Sequence, residues 1–218
     1  MIITAIERQK RRQRVNVYVD EGRFAFALAL HLAQDAGLHT GMELSEAQAN
    51  ALQEADASHS AYDAALRLLS YRPRSETEMR RRLARRGIGL RLIAETVQRL
   101  KERGYLDDEA FARFWTETRE STSPRSRRLI VQELRAQGVH PDTAATATTA
   151  VSDEEAAYRA ASGRLHAFHG LDFDTFRRRM GGFLVRRGFS YEVARRTTDR
   201  CWREASTDDE GTEGPGEA

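Results

Sequence analysis

The chain has 218 residues, of which 40% are hydrophobic, and its mean hydropathy is -0.65. It is long enough for a core but polar for one compact globule, and its 35 basic and 33 acidic residues leave a net charge of only +2. No stretch approaches the roughly 20 apolar residues of a membrane span, and no signal-peptide run follows the basic start, so we expect a cytoplasmic protein without membrane contact.

The first predicted element is a β-hairpin. Residues 15–19 alternate between valine and polar side chains, which is typical of a half-buried strand. Residues 20–22, Asp-Glu-Gly, offer a turn, and residues 24–28 form a second apolar-rich strand.

A short helix is predicted next. Ser45 and Gln48 have the spacing of a capping box, and the apolar pattern that follows predicts a helix that closes near Ala55. We therefore assign residues 1–57 to a small N-terminal module of a hairpin and a short helix.

From residue 58 onward the apolar residues follow a helical period, and one segment recurs. Residues 83–88 (LARRGI) return as residues 134–139 (LRAQGV) and as residues 184–189 (LVRRGF), so that the glycines lie 51 and 50 positions apart. Capping signals around each segment predict two further helices per unit. We assign three three-helix repeats to residues 58–105, 106–151 and 152–205.

The recurring glycines, Gly87, Gly138 and Gly188, are expected to end their helices in the left-handed conformation, where a Cβ would be strained. Residues six and ten positions later should lie on the buried face of the next helix: Ile93 and Val97, Ala144 and Thr148, and Ala194 and Thr198. The predicted fold is mainly α, a curved and elongated tandem array of three three-helix repeats with a small N-terminal β-hairpin module.

Charge is segregated along the chain. Residues 58–103 contain 12 basic and 5 acidic residues, and residues 164–203 contain 10 and 4. Residues 204–218 contain six acidic residues and no base, so we predict a disordered acidic tail at residues 206–218. The tail either keeps the protein soluble or mimics nucleic acid and competes for the basic faces.

Basic side chains cluster in the first repeat. Tyr71, Arg72 and Arg74 flank Pro73, where an exposed aromatic ring could stack on bases and arginines could neutralise phosphates. Alternatively, Tyr71 seals the core and the arginines are only solvated. On the next helix, a row of arginines should lie opposite the apolar residues Met79 and Leu83: Arg81, Arg82, Arg85 and Arg86. Such like charge is relieved by an anionic partner or stays as a solvated face.

Arginine clusters also occur in the second and third repeats. The second repeat has Arg128 among a few other arginines, and the third repeat has two pairs: Arg177 with Arg178, and Arg186 with Arg187. Basic surfaces at both ends of the array favour a long polymer over a small ligand.

Catalytic and metal-binding patterns are weak. His166 and His169 lack a convincing third ligand, Asp107 and Asp108 are explained as a helix cap, and no phosphate-binding glycine loop or nucleophile motif occurs. Cys201 is the single cysteine, so an internal disulfide is excluded and a packing role is predicted. We expect no catalytic activity, no metal and no cofactor.

The chain closely resembles the RecX family. The resemblance rests on residues 69–78 (LSYRPRSETE), then Leu83, then residues 104–108 (GYLDD) with Phe111 and Ala112, and it extends to about Trp202. It implies a bacterial regulator that lodges in the helical groove of the RecA filament on single-stranded DNA and lowers ATP hydrolysis and strand exchange, in recombination, DNA repair and the SOS response.

By the same resemblance, the leading interface candidates are Arg72, Arg74, Arg81 and Arg82. The expected partners are the RecA filament, single-stranded DNA and, as a further candidate, double-stranded DNA, with the protein itself a monomer. A second hypothesis is a helix-turn-helix-like transcription or architectural factor, because three short helices with a glycine turn also describe that DNA-binding unit.

Overall fold

The computed structural model describes residues 1–10 and 13–210. The predicted acidic tail therefore falls mostly on residues 211–218, outside the described residues, although the last helix extends to Glu210. The strands and helices follow in this order: β1 (Ile3–Arg8), β2 (Arg14–Val19), β3 (Arg23–Ala29), α1 (Leu30–Asp35), α2 (Glu46–Leu69), α3 (Glu76–Ala84), α4 (Leu90–Glu102), α5 (Asp108–Thr122), α6 (Arg127–Ala136), α7 (Pro141–Ala147), α8 (Asp153–Ser162), a 3-10 helix (Leu165–Phe168), α9 (Phe173–Arg186) and α10 (Tyr191–Glu210).

The chain divides into two compact units. The first contains residues 1–72 and 79–105, and the second contains residues 73–78 and the chain from residue 106 onward. The mainly helical fold with three three-helix repeats and a small N-terminal sheet is confirmed. None of the helices in the described part of the chain is long and apolar enough to cross a membrane.

The N-terminal sheet has three antiparallel strands in the order β1-β2-β3. The predicted hairpin is β2 with β3, and its turn has positive φ angles at Asp20, Glu21 and Gly22. Strand β1 was missed, because only Ile3 of its six residues is buried and the strand gives no alternating apolar signal. Ile3 packs in one core with the valines of β2 and with Leu28 of β3.

Helix α2 is continuous over 24 residues, so the predicted end near Ala55 is wrong. No glycine or proline interrupts the helix, and Asp56 is buried where a helix end was expected. Its carboxylate accepts hydrogen bonds from both Nη atoms of Arg14, at 3.0 and 2.6 Å, and from the backbone N–H of Ala29 at 2.7 Å. One helix thus packs on the sheet with its first half and supplies the first helix of repeat 1 with its second.

The middle helix of each repeat ends as the sequence predicts. Gly87, Gly138 and Gly188 have φ of 77, 87 and 90°. The residue after each glycine donates its backbone N–H to the carbonyl five residues earlier, which closes the last turn. The positions six and ten residues after each glycine are all buried, as predicted.

Candidate functional site

A contact between equivalent positions recurs in the second unit, at the residues that directly precede α3 and α6. Ser75 caps α3, and its Oγ also donates to the carbonyl of Gln137, 2.6 Å away. Ser126 caps α6, and its backbone N–H donates to the carbonyl of Arg187 at 3.1 Å. In both cases the acceptor is the carbonyl of the residue directly before the glycine of the following repeat. Equivalent positions of successive repeats therefore make the same contact twice.

An aspartate completes each contact. The backbone N–H of Glu76 donates to Asp108 at 2.8 Å, and the backbone N–H of Arg127 donates to Asp153 at 2.7 Å. These carboxylates satisfy N–H groups that a helix start leaves without an intrahelical partner, and their charge favours the positive end of the helix dipole. Each aspartate belongs to the first helix of the following repeat.

The two glycine turns also lie too close to their neighbours for a side chain. A Cβ on Gly138 would lie 2.1 Å from Oγ1 of Thr77, and one on Gly188 would lie 2.5 Å from Oγ of Ser126. Gly87 has no atom within 4 Å of the corresponding position. We name the two contacts at Gly138 and Gly188 the repeat joints.

The predicted arginine row lies at the end of α3 and in the turn that follows it. Met79 and Leu83 are fully buried, whereas the row on the opposite side is exposed: Arg81, Arg82, Arg85 and Arg86. Near the start of the same repeat, Tyr71 is 82% exposed, so it does not seal the core, and Arg72 is half-buried.

Arg74 is less accessible than the interface prediction assumed. The sequence analysis placed it on the interface beside Arg72, but only 7% of the residue is exposed. Its Nη1 lies 2.5 Å from Oε1 of Glu78, which is also buried. A buried charge is tolerated when it is paired, and this pair lies directly beside Ser75 of the first repeat joint. Arg74 therefore has a packing role.

Arg187 also differs from its expected place. Its Nη1 donates to Oγ of Ser123 at 3.2 Å and to the carbonyl of Pro124 at 2.9 Å, and its guanidinium lies 4.6 Å from the ring centre of Phe183. Burial, followed by the nearby charges of Arg125 and Arg164, lowers its pKa. Arg187 thus connects the second and third repeats, whereas Arg186 beside it is exposed.

The remaining candidates lie in two grooves of the second unit. Arg128 is exposed and lines a shallow groove along α6 with Arg127 and Arg135. Arg177 and Arg178 are exposed and line a groove between α9 and α10. The structure therefore brings Arg177 and Arg178 together and places Arg128 in a separate groove.

A carboxylate that the sequence analysis did not single out neutralises part of the basic charge in the second repeat. Glu133 accepts a hydrogen bond from Nε of Arg119 at 2.7 Å and from the indole Nε1 of Trp115 at 2.9 Å, and it forms an ion pair with Arg125. Its partners lie 8 to 18 residues away, so helical spacing gave no signal for the contact.

The described residues contain no group of three or more His, Cys, Asp and Glu side chains that could hold a metal ion. Cys201 is fully buried, as predicted, and burial raises the pKa of its thiol to about 11. The candidate residues therefore offer positive charge and open grooves, which suit binding to a partner.

Four family models match consecutive parts of the chain. The model described as the regulatory protein RecX N-terminal domain matches residues 1–45. The first, second and third three-helix domains of RecX match residues 61–100, 107–147 and 152–197.

Individual proteins agree with these matches. Regulatory protein RecX of Levilactobacillus brevis is 34% identical over 196 residues, 88% of this chain and 73% of that protein. The protein of the same name from Bacillus subtilis is 30% identical over 212 residues, 95% of this chain and 80% of that protein.

A crystal structure of regulatory protein RecX aligns with a TM-score of 0.63 at 27% identity, covering 91% of this chain and 98% of the other. RecX from Lactobacillus salivarius, at 23% identity and a TM-score of 0.56 over 67% of this chain and 97% of that one, shares the fold. The chain therefore belongs to the RecX family of regulatory proteins.

Proposed function

We propose that the chain inhibits the RecA recombinase by binding in the helical groove of the RecA filament on single-stranded DNA. Binding there lowers ATP hydrolysis and strand exchange. The protein acts in the cytoplasm as a monomer, with no catalytic step and no cofactor. Family membership supports this proposal at the level of a regulatory protein.

The observation that carries the proposal is the arginine row at the end of α3 and in the turn that follows it. Arg81 and Arg82 lie on α3, Arg85 and Arg86 lie in the turn, and all four residues are exposed. Like charges so close together repel one another, and an anionic surface relieves the repulsion. A DNA backbone or an acidic groove of a protein filament provides such a surface.

The test is the single-stranded-DNA-dependent ATPase activity of RecA with increasing amounts of the protein. Replacing Arg85 and Arg86 together by alanine is expected to weaken inhibition at least about tenfold, if each exposed contact contributes ~1 kcal/mol. The matched control replaces Arg91 and Arg113 by alanine. These arginines are equally exposed but lie near carboxylates of their own helices.

Two outcomes would contradict the proposal. Unchanged RecA activity at stoichiometric amounts of the protein rejects inhibition, and equal effects of the two double variants reject the arginine row as its basis. Sequence-specific protection of duplex DNA without RecA would instead favour the helix-turn-helix-like DNA-binding factor.

A further inference from the structure

Helix α9 contains two adjacent glycines that the internal packing does not require. Gly181 and Gly182 lie in the middle of the helix, and neither has a positive φ. A Cβ on Gly181 would meet nothing within 4 Å, and one on Gly182 would meet only the flexible end of Arg186 at 3.4 Å. Glycine destabilises a helix interior relative to alanine. The two glycines therefore leave the helix backbone open on this side.

The glycines form the floor of a groove between α9 and α10. Ala194 and Thr198 of α10 line the same groove, and Val185 and Tyr191 lie along it. Tyr191 is 74% exposed and Val185 is 49% exposed, so neither is used to fill the core. A large aromatic ring is normally buried, and an exposed one beside an open backbone offers a flat surface for stacking.

Arginines surround this groove. Arg177, Arg178 and Arg195 line it, together with a single carboxylate, Asp174. Arg195 lies 3.8 Å from Asp199, which offsets part of its charge. Among the described residues, no carboxylate lies within ion-pair distance of Arg178. The edges of the groove are therefore positively charged while its floor is uncharged.

We propose that this groove, which we name the diglycine groove, binds one unpaired nucleotide of a single-stranded nucleic acid. The base lies on the backbone of Gly181 and Gly182 against the ring of Tyr191, and Arg178 and Arg195 bind the adjacent phosphate. The inference rests on the proposed function only in taking DNA as a partner. The groove has a volume of about 320 Å³, in the range of a small-ligand site and too small for a helix about 10 Å wide.

The test is fluorescence anisotropy with a labelled 20-nucleotide oligo(dT), a strand of equal length made of abasic sites, and a 20-base-pair duplex. The full-length protein is expected to bind oligo(dT) at least about fivefold more tightly than the abasic strand, because stacking requires a base. Gly181→Leu fills the floor and Tyr191→Ala removes the stacking ring, so both should abolish this preference.

The matched control is Gln98→Leu, at an exposed position on α4 in the first repeat. It should keep the preference for oligo(dT). Gly181→Leu should also raise the melting temperature, because leucine is the better helix former, so that its loss of binding cannot come from unfolding.

Inhibition of RecA, measured on the same variants, separates this inference from the proposed function. If the protein prefers oligo(dT) but does not inhibit RecA, nucleotide binding in the diglycine groove is supported and the proposed function is rejected. Equal binding of oligo(dT) and the abasic strand by the unaltered protein overturns the groove, whether or not RecA is inhibited. Loss of inhibition with unchanged oligo(dT) binding in Gly181→Leu and Tyr191→Ala would identify a protein partner there and also overturn it.

Discussion

Burial controls the chemistry of Cys201 in the third repeat. The thiolate is unfavourable in the apolar core formed by α8, α9 and α10, and Glu204 adds to this effect while Arg200 opposes it. The folded protein therefore keeps the thiol proton up to about pH 11, whereas an unfolded chain releases it near pH 9. Because the unfolded state binds fewer protons at this thiol between these values, the thiol's contribution to the free energy of unfolding falls as pH rises through that window.

We predict that urea unfolding at pH 8, 9, 10 and 10.5 shows this decrease, and that Cys201→Ala reduces its slope. Alanine has no titrating group, so the variant should lose the contribution of the thiol while other groups continue to titrate in both proteins. At pH 8, which is below the pKa of the thiol in both states, the lower stability of the variant reflects only the lost packing. The difference in stability between the two proteins at pH 8 is therefore the reference for the higher pH values. Identical pH slopes in the two proteins would contradict the assignment.

At the scale of the helices, the carboxylate of Glu133 connects three side chains of the second repeat. It joins α6 to two side chains of α5 and to Arg125 in the loop between them, and its side chain is 15% exposed. Removing one partner of a largely buried charge cluster leaves the others without compensation. The cluster therefore stabilises the packing of α5 on α6.

We predict that Glu133→Gln lowers the free energy of unfolding by about 2 kcal/mol, below the range for fully buried pairs because Arg125 is partly exposed. The matched control is Glu109→Gln, whose exposed carboxylate lies 4.0 Å from Arg113 and should contribute less than about 0.5 kcal/mol. Chemical denaturation of both variants measures the difference. Equal losses would show that Glu133 is no more important than a surface charge.

Local signals explain which elements could be predicted from the sequence. The glycine turns and capping serines act within a few residues, so the three repeats were visible in the sequence alone. Strand β1 was missed because its position depends on pairing with β2. The contacts of Arg187 were not visible in the sequence, because its partners, Ser123 and Pro124, lie more than 60 residues away in the chain. The burial of Arg74 was not visible although Glu78 stands four residues later, because a sequence shows charge but not burial.

At the scale of the whole molecule, charge should decide how binding responds to salt. An arginine that contacts phosphate releases bound counterions, so each such contact steepens the fall of affinity with rising salt concentration. Arginines that already lie near carboxylates release fewer counterions when they contact phosphate. Arg85 and Arg86, in the turn after α3, and Arg91 and Arg113, which lie near carboxylates, should therefore differ in this measurement.

We predict that replacing Arg85 and Arg86 by alanine reduces the slope of log affinity against log salt concentration by about 1.4, at about 0.7 per phosphate contact with a single strand. Titrations of labelled oligo(dT) at 50 to 200 mM salt measure it. The Arg91 and Arg113 double variant should keep the slope of the unaltered protein. A slope unchanged in both variants would place the phosphate contacts elsewhere.

The repeat joints have a consequence for how such a protein can evolve. Each joint is built from backbone carbonyls and N–H groups, one serine, one glycine and one aspartate. Side chains that point outward take no part in it. Substitutions on the outer faces of the repeats can therefore change a binding surface without removing any of these contacts.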